Sequence, residues 1–336
     1  MRPRRYRDLI VDIWGILVIG PFLIVPLADW GPLWRSLTHQ ILIGMTASFG
    51  VYIMMRMRLL SFTVPAFMAL GGYSAAILAK AGFTNLLVLM AVSFVVPTLA
   101  AVPLGFLVLR LKGVYFIFFT FILNEVFQVA LFEIPGPTGG SDGIAGVPPA
   151  TLFNADLGSP RMLVLVTILT ALVAAGITFA TTHRYRAEFS SIDENEPLAE
   201  SLGVAVWWYR TIGFLTSAGV SGLAGFALVH QLTAAHPSSF ASFSAIDYVA
   251  YTIVGGAGTL LGPVVGAILL VTMSNLFSGQ GLYAAALFGI LLTGAVMVAP
   301  RGVIGELRYL VERMQARPRG EEATRATQRE AGHESA

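Results

Sequence analysis

Three polar constellations interrupt a sequence otherwise dominated by apolar residues, and each is suited to a different chemistry. Asn124, Glu125 and Gln128 fall inside a long apolar run at 113–133. An ionisable group at that depth in hydrocarbon is costly, so it should face protein or water, where it can gate a path or relay a proton. Asp193, Glu194 and Glu196, followed by Glu200 and Gly203, form an acidic stub in the longest polar stretch between apolar runs, 182–209. Glu194, Leu198, Ser201 and Leu202 can share one side of a short helix that Gly203 is placed to end. Such a helix can rest on a membrane surface, but its acidic cluster disfavours anionic headgroups and suits a groove on a soluble partner. Thr138, Gly139, Gly140, Ser141, Asp142 and Gly143 make up the third set, a glycine-rich loop whose backbone can approach a neighbour closely and adopt positive φ. It reads either as a tight surface turn or as a docking and gating element at the mouth of a path.

Other chemistries are excluded by what is missing. With no cysteine there is no disulfide, thiolate metal site or cysteine nucleophile. The phosphate-loop pattern G-x-x-x-x-G-K-[ST], H-E-x-x-H and G-x-S-x-G are all absent. No close acidic pair lies in an apolar run for metal-assisted transfer. No catalytic, metal or cofactor residue is therefore nominated, and any energy must come from another polypeptide. The basic residues sit in short clusters beside apolar runs rather than along a stripe, which argues against a nucleic-acid partner. His39 and Gln40 are ambiguous, while Asp12 and Asp247 lie near the ends of apolar runs and read as solvated.

The elements that must hold these groups are membrane spans. At 56% hydrophobic and 12% charged, the chain has about half the roughly 25% charge of soluble domains. Apolar runs of suitable length predict spans near 13–28, 36–55, 60–80, 85–109, 113–133, 161–181, 210–232 and 282–299. A ninth interval, 246–275, is apolar enough to enter a bilayer but is interrupted by Gly255, Gly256, Gly258, Gly262 and Pro263. It predicts a broken or re-entrant helix pair. The expected fold class is therefore all-α, a polytopic transmembrane helical bundle containing that pair.

Charge placement orients the prediction, since Lys and Arg concentrate in cytoplasmic loops. With the N-terminus inside, all basic residues except Arg35, Lys80 and Arg161 fall on the cytoplasmic side. Keeping the Arg-rich region after Arg301 inside requires an even number of crossings within 246–275. The start, MRPRRYRDLI, is basic and runs into an apolar stretch without an A-x-A-like site, and reads as a retained first helix. Residues 1–312 form one transmembrane domain, and 313–336, charged and poor in large apolar side chains, are expected to be a disordered cytoplasmic tail. Gly71, Gly72, Ser74 and Ala75, and Ser217, Gly219, Ser221, Gly222 and Gly225, read as surfaces for close helix packing.

In their order along 38–302 these stretches resemble the membrane permeases of bacterial ABC importers of the branched-chain amino acid class, most closely the M-type. The resemblance is carried by Arg110-Leu-Lys-Gly-Val-Tyr115 leading to Asn124-Glu125, by Thr138-Gly-Gly-Ser-Asp-Gly-Ile144-Ala-Gly-Val-Pro148, and by Asp193-Glu-Asn-Glu196 with Ala199-Glu-Ser-Leu-Gly203. Ser217-Ala-Gly-Val-Ser-Gly-Leu-Ala-Gly225, Gly255-Gly-Ala-Gly-Thr-Leu-Leu-Gly-Pro263 and Pro300-Arg-Gly302 complete it. The chain departs from the family pattern at Ser61-Phe-Thr-Val-Pro65, where a Gly-His pair is common, at Gln128, where a basic residue is common, and at Ile192, where an Arg is common.

The resemblance implies a non-enzymatic, cofactor-free permease in the bacterial inner membrane that carries branched-chain amino acids or related small amino acids and amides. Its implied partners are a second, homologous permease in a heterodimer, two cytoplasmic ATP-binding subunits, a periplasmic or lipid-anchored solute-binding protein, and membrane lipid. It also implies that 182–209 holds the coupling helix for the ATPase. Both termini would be cytoplasmic, Asn124 and Glu125 would line the translocation path, and 138–143 the outer mouth. The alternative from the residues alone is an ion-coupled secondary transporter acting without an ATPase, with Glu125 as proton relay and the broken helices at mid-membrane.

Overall fold

The computed structural model describes residues 31–152 and 155–277, with short pieces between 286 and 306. The spans expected at 13–28 and over most of 282–299, Asp12 and the tail at 313–336 lie outside the described residues. Within them the main helices are α1 (Pro32–Met55), α2 (Val64–Lys80), α3 (Leu86–Val108), α4 (Val114–Glu133), α5 (Pro160–Arg184), α6 (Arg186–Glu194), α7 (Glu196–Ser201), α8 (Val206–Leu232), α9 (Ser244–Gly255) and α10 (Leu261–Phe277), with a short helical turn at Pro135–Thr138. The β-structure among the described residues is two short antiparallel pairs, Ile144–Ala145 with Ala234–Ala235 and Thr151–Leu152 with Ala155–Asp156, and an isolated bridge between Asn85 and Thr151. The all-α expectation holds.

Five helices, α1, α3, α4, α5 and α8, are long and apolar enough to cross a membrane. With α2 between α1 and α3, successive long helices alternate in direction, so the bundle has two ends. The end carrying α6 and α7 is called basal here; the end where α1, α3 and α5 begin is apical. α1 and α8 run through the centre and are almost wholly enclosed, whereas α3 and α4 lie at the periphery. Leu99 and Phe106 on α3, and Phe118 and Ile122 on α4, point outward and are exposed. A helix apolar on every face fits hydrocarbon on one side and protein on the other.

Close backbone approach explains the small residues of α2 and α8. A Cβ on Gly71 would be driven into the backbone of Gly222, and one on Gly225 into the Met68 carbonyl. Larger residues at these positions would part the helices and forfeit the dispersion contacts that hold bundles together in lipid. Ser217 joins α8 to α1 by donating to the Gly50 carbonyl at 2.8 Å.

The predicted break is present. α9 stops at Gly255, the chain turns through Gly256 at φ +116°, and α10 begins at Leu261. The two helices run antiparallel with Gly255 and Gly266 pressed on the backbones of Gly262 and Tyr251. Pro263 lies buried in the first turn of α10, and Gly302 sits against Gly256. Arg56 at the end of α1 donates to the Gly258 carbonyl at 3.3 Å, which sets the break at the basal end. At the other end of the hairpin Asn275 donates to the Gln40 side chain at 2.9 Å. The interval thus descends and returns, the even number of crossings that charge placement requires.

Candidate functional site

At the basal end the acidic stub is not one helix but two. Asn195 breaks it: its side chain accepts from the Leu198 N–H at 3.1 Å, capping α7, and Pro197 follows within the first turn. Asn-x-Pro at a helix start was a readable signal. Glu194 therefore belongs to α6 rather than sharing a helix with Leu198. Gly203 ends α7 as expected, at φ +87°, with its N–H on the Glu200 carbonyl and the Val204 N–H on Ala199.

The nominated acidic residues divide into two groups. Asp193 pairs with Arg58 from the α1–α2 turn at 3.1 Å. Glu196 binds Lys112 from the α3–α4 turn at 2.9 Å and takes both guanidinium nitrogens of Arg210 at 3.0 and 2.8 Å. Partial burial alone would favour the neutral Glu196 carboxyl, but the hydrogen bonds and charges of Lys112 and Arg210 prevail and hold its pKa below the usual glutamate value. Glu196 is thus an internal brace, and Asp193 adds an exposed ion pair; together they link the stub to three other parts of the bundle. Glu194 and Glu200 point to solvent instead, beside Leu198 and Leu202, which are 54% and 76% exposed. Phe189, Ile192 and Ala199 are buried on the opposite side, in a cluster with Met54, Val108 and Phe214. Ile192 is thus an anchor in the core.

Along α4, Thr120, Asn124 and Gln128 recur every four residues and so form one polar stripe. Thr120 accepts from the Phe62 N–H just before α2 at 3.3 Å. Gln128 accepts from both the N–H and the hydroxyl of Ser242, just before α9, at 3.1 and 2.8 Å. Asn124 lies between them, 1% exposed, with its amide nitrogen unpaired among the described residues. Glu125, its neighbour, is only half-buried and is off this stripe.

At the apical end, Gly139, Gly140 and Gly143 all take positive φ, and the Thr138 hydroxyl donates to Leu131 and Ile134 carbonyls while accepting from the Gly140 N–H. Ser141 and Asp142 are exposed. A Cβ on Gly143 would strike the Ala235 carbonyl, so the loop can close on the segment leading to α9 only with glycine there. The Val147 N–H extends the contact to the Thr233 carbonyl at 2.9 Å.

Below this cap a cavity of about 220 Å³ opens between α1, α8, α9 and α10. Its lining includes Gln40, Gln231, Asp247, Tyr248, Tyr251 and Asn275. Asp247 stands half-buried in the first turn of α9 and lines this open cavity. The rule that an ionisable group within an apolar interval is functional by default would have singled it out.

A family model described as branched-chain amino acid transport system / permease component matches residues 34–300. The chain belongs to that family. It is 24% identical over 282 residues to the high-affinity branched-chain amino acid transport system permease protein LivM of Salmonella typhimurium, an alignment covering 76% of this chain and 66% of that protein. Identity and coverage are the same for LivM of Escherichia coli. The chain thus spans about 66% of the length of these curated relatives. No solved structure matches it. Membership of this permease family, with the five long apolar helices, makes the chain a multi-pass integral membrane protein.

Proposed function

We propose that this chain forms the translocation path of an ATP-driven importer of branched-chain amino acids or related small amino acids and amides. The basal surface of α6 and α7 is the observation that carries the proposal. Two exposed leucines and two exposed carboxylates project from a stub that ion pairs and buried aromatic packing fix to the bundle. A rigid, amphipathic protrusion suits docking into a partner's groove, because little side-chain or backbone freedom is lost on binding.

In this reading the motor is a pair of cytoplasmic ATP-binding subunits, and the chain hydrolyses nothing itself. A second homologous permease completes the path, and a periplasmic or lipid-anchored solute-binding protein delivers the solute to the apical cap at 138–143. The membrane is the bacterial inner membrane, with the basal end and both termini in the cytoplasm. Asn124 lines the path and Gln128 ties it to the hairpin of α9 and α10, whose glycine break at Gly255, Gly256, Gly258 and Gly262 meets α1 next to the motor. ATP binding then selects one spacing of the stubs, and with it one of the two access states.

The test uses substitutions on the exposed surface, since deleting 193–203 would also remove the Glu196 brace. Leu198→Asp with Glu200→Lys in the full complex should abolish substrate-stimulated ATP hydrolysis and co-purification of the ATP-binding subunits, with membrane insertion intact. Stimulation equal to that of the unaltered complex would remove the docking role. Solute uptake by the purified chain alone, driven by an ion gradient, would replace the motor altogether.

A further inference from the structure

We propose that Asp247 binds the ammonium group of the transported solute, in a site formed by the apical cavity, so that the permease itself selects for a zwitterionic amino acid. This rests on the permease reading above. The cavity lies beside Gln40 and Gly44, ~12–18 Å along α1 from its apical start, with Gly44 buried at its inner side and Gln40, Ser274 and Asn275 exposed at its mouth. Its volume of about 220 Å³ is below the roughly 300–1,000 Å³ of drug-sized sites, and is scaled to one small solute.

The charge of the lining is one-sided. Asp247 is the only ionisable carboxylate among the described lining residues, and no Lys or Arg stands with it. It makes no hydrogen bond or ion pair with any described residue. A half-buried carboxylate without a counter-ion among the described residues is disfavoured. A solute that brings its own positive charge removes that cost, whereas a neutral or anionic solute leaves it in place or raises it.

Two further features give the site a cationic specificity. Tyr248 and Tyr251, on the same helix as Asp247, border the cavity with rings 6.2 Å apart and nearly perpendicular. Aromatic faces beside a carboxylate favour an ammonium group. Gly44 makes room for Tyr251, whose ring lies 3.0 Å from where a Cβ on Gly44 would fall. The remaining donors are neutral: the Gln231 amide, unpaired among the described residues, and the hydroxyls of Ser244 and Ser274. They can receive a solute carboxylate by hydrogen bonds but cannot pair its charge. Discrimination therefore rests on the positive end of the solute.

The site is also placed where a substrate would be handed on. Gln128 on α4 anchors Ser242 just before α9, and the α9–α10 hairpin that bears Asp247 ends at the basal break beside Arg56. Binding sites at discontinuous helices within the membrane are a recurrent solution in transporters.

Binding of radiolabelled L-leucine to the purified full chain in lipid nanodiscs tests this, with 3-methylbutylamine and 4-methylpentanoate as competitors. The first keeps the ammonium and lacks the carboxylate; the second is the reverse. The amine should compete and the acid should not. Asp247→Asn should weaken leucine binding at least about tenfold, the scale of one charged hydrogen bond, while Asp247→Glu retains most of it. Equal binding by D247N, competition by the acid as strong as by the amine, or no leucine binding to the unaltered chain would overturn the proposal. Displacement of leucine by sodium or potassium chloride, but not by choline chloride, would reassign the site to an inorganic cation and also overturn it. Should D247N fail to fold, the competitor series on the unaltered chain decides. ATP-driven uptake by the full complex is measured separately. Asp247-dependent binding without any uptake would strike the permease reading, and uptake unchanged by D247N would strike only the role of Asp247.

Discussion

Arg210 and Glu196 form a two-pronged ion pair, at 3.0 and 2.8 Å, between the second turn of α8 and the first turn of α7. The Arg210 side chain is 8% exposed and that of Glu196 20%. Glu196→Ala leaves a buried guanidinium without its partner. Loss of a fully buried pair costs about 3–5 kcal/mol, and the exposure of Glu196 makes that an upper bound here. A lower thermal midpoint for E196A in detergent, partly restored by adding Arg210→Met, is the expected outcome.

The same pair sets a pH dependence. The folded state holds Glu196 below the usual glutamate value, so its stabilisation is complete at neutral pH and is lost only as pH falls through that lowered value. The midpoints of the wild type and Glu196→Gln should thus differ at pH 7 and converge only under strongly acidic conditions. Convergence already near neutrality would contradict the brace.

Arg58 occupies the left-handed region, φ +55°, where α1 ends. That conformation costs a non-glycine residue about 1–2 kcal/mol, whereas its exposed pair with Asp193 is worth about 0.2–1 kcal/mol. Arg58→Gly should match or exceed the wild-type melting midpoint, and Arg58→Ala should fall below it. Both should loosen the stub, read as a weaker stimulation of ATP hydrolysis in the complex. An alanine variant as stable as the glycine variant would show that the backbone at this position is not the constraint.

Gly225→Ala drives a methyl into the Met68 carbonyl, whereas Gly176 on α5 has open space around its Cα. Gly225→Ala should lower detergent stability sharply. Gly176→Ala should be neutral or stabilising by up to about 1 kcal/mol, the helix-propensity difference. The contrast is read from melting curves of the two variants side by side.

Gln128→Leu removes the acceptor of both Ser242 donors. An orphaned buried donor costs about 1–3 kcal/mol, and the start of α9 loses its tether to α4. Solute uptake should drop while insertion and docking of the ATP-binding subunits persist. Unchanged uptake would show that α9 keeps its depth by other means.

Much of this architecture is legible in the residues because lipid imposes simple rules. Apolar runs mark the spans, and clustered glycines mark the break after Gly255. The brace was not legible, because Glu196 finds Lys112 and Arg210 only once α3, α4, α7 and α8 have converged, and no local pattern encodes that meeting. The surroundings of Asp247 were hidden for a related reason. Hydropathy locates it near the edge of an apolar interval, but the cavity it lines forms only once α1, α8, α9 and α10 have converged. Glu125 stood out by charge, yet the buried stripe runs through its neighbour Asn124, a distinction that needs the helix's rotation.

The joint between α9 and α10 has a mechanical consequence. Where two helices meet backbone to backbone at Gly255, Gly262 and Gly266, no pliant side chains remain between them to absorb a displacement. The pair behaves as a single girder. A displacement of Gly258, whose carbonyl Arg56 holds, is therefore expected to be carried along this glycine seam toward Asp247, a solid linkage between the floor of the molecule and the cavity above.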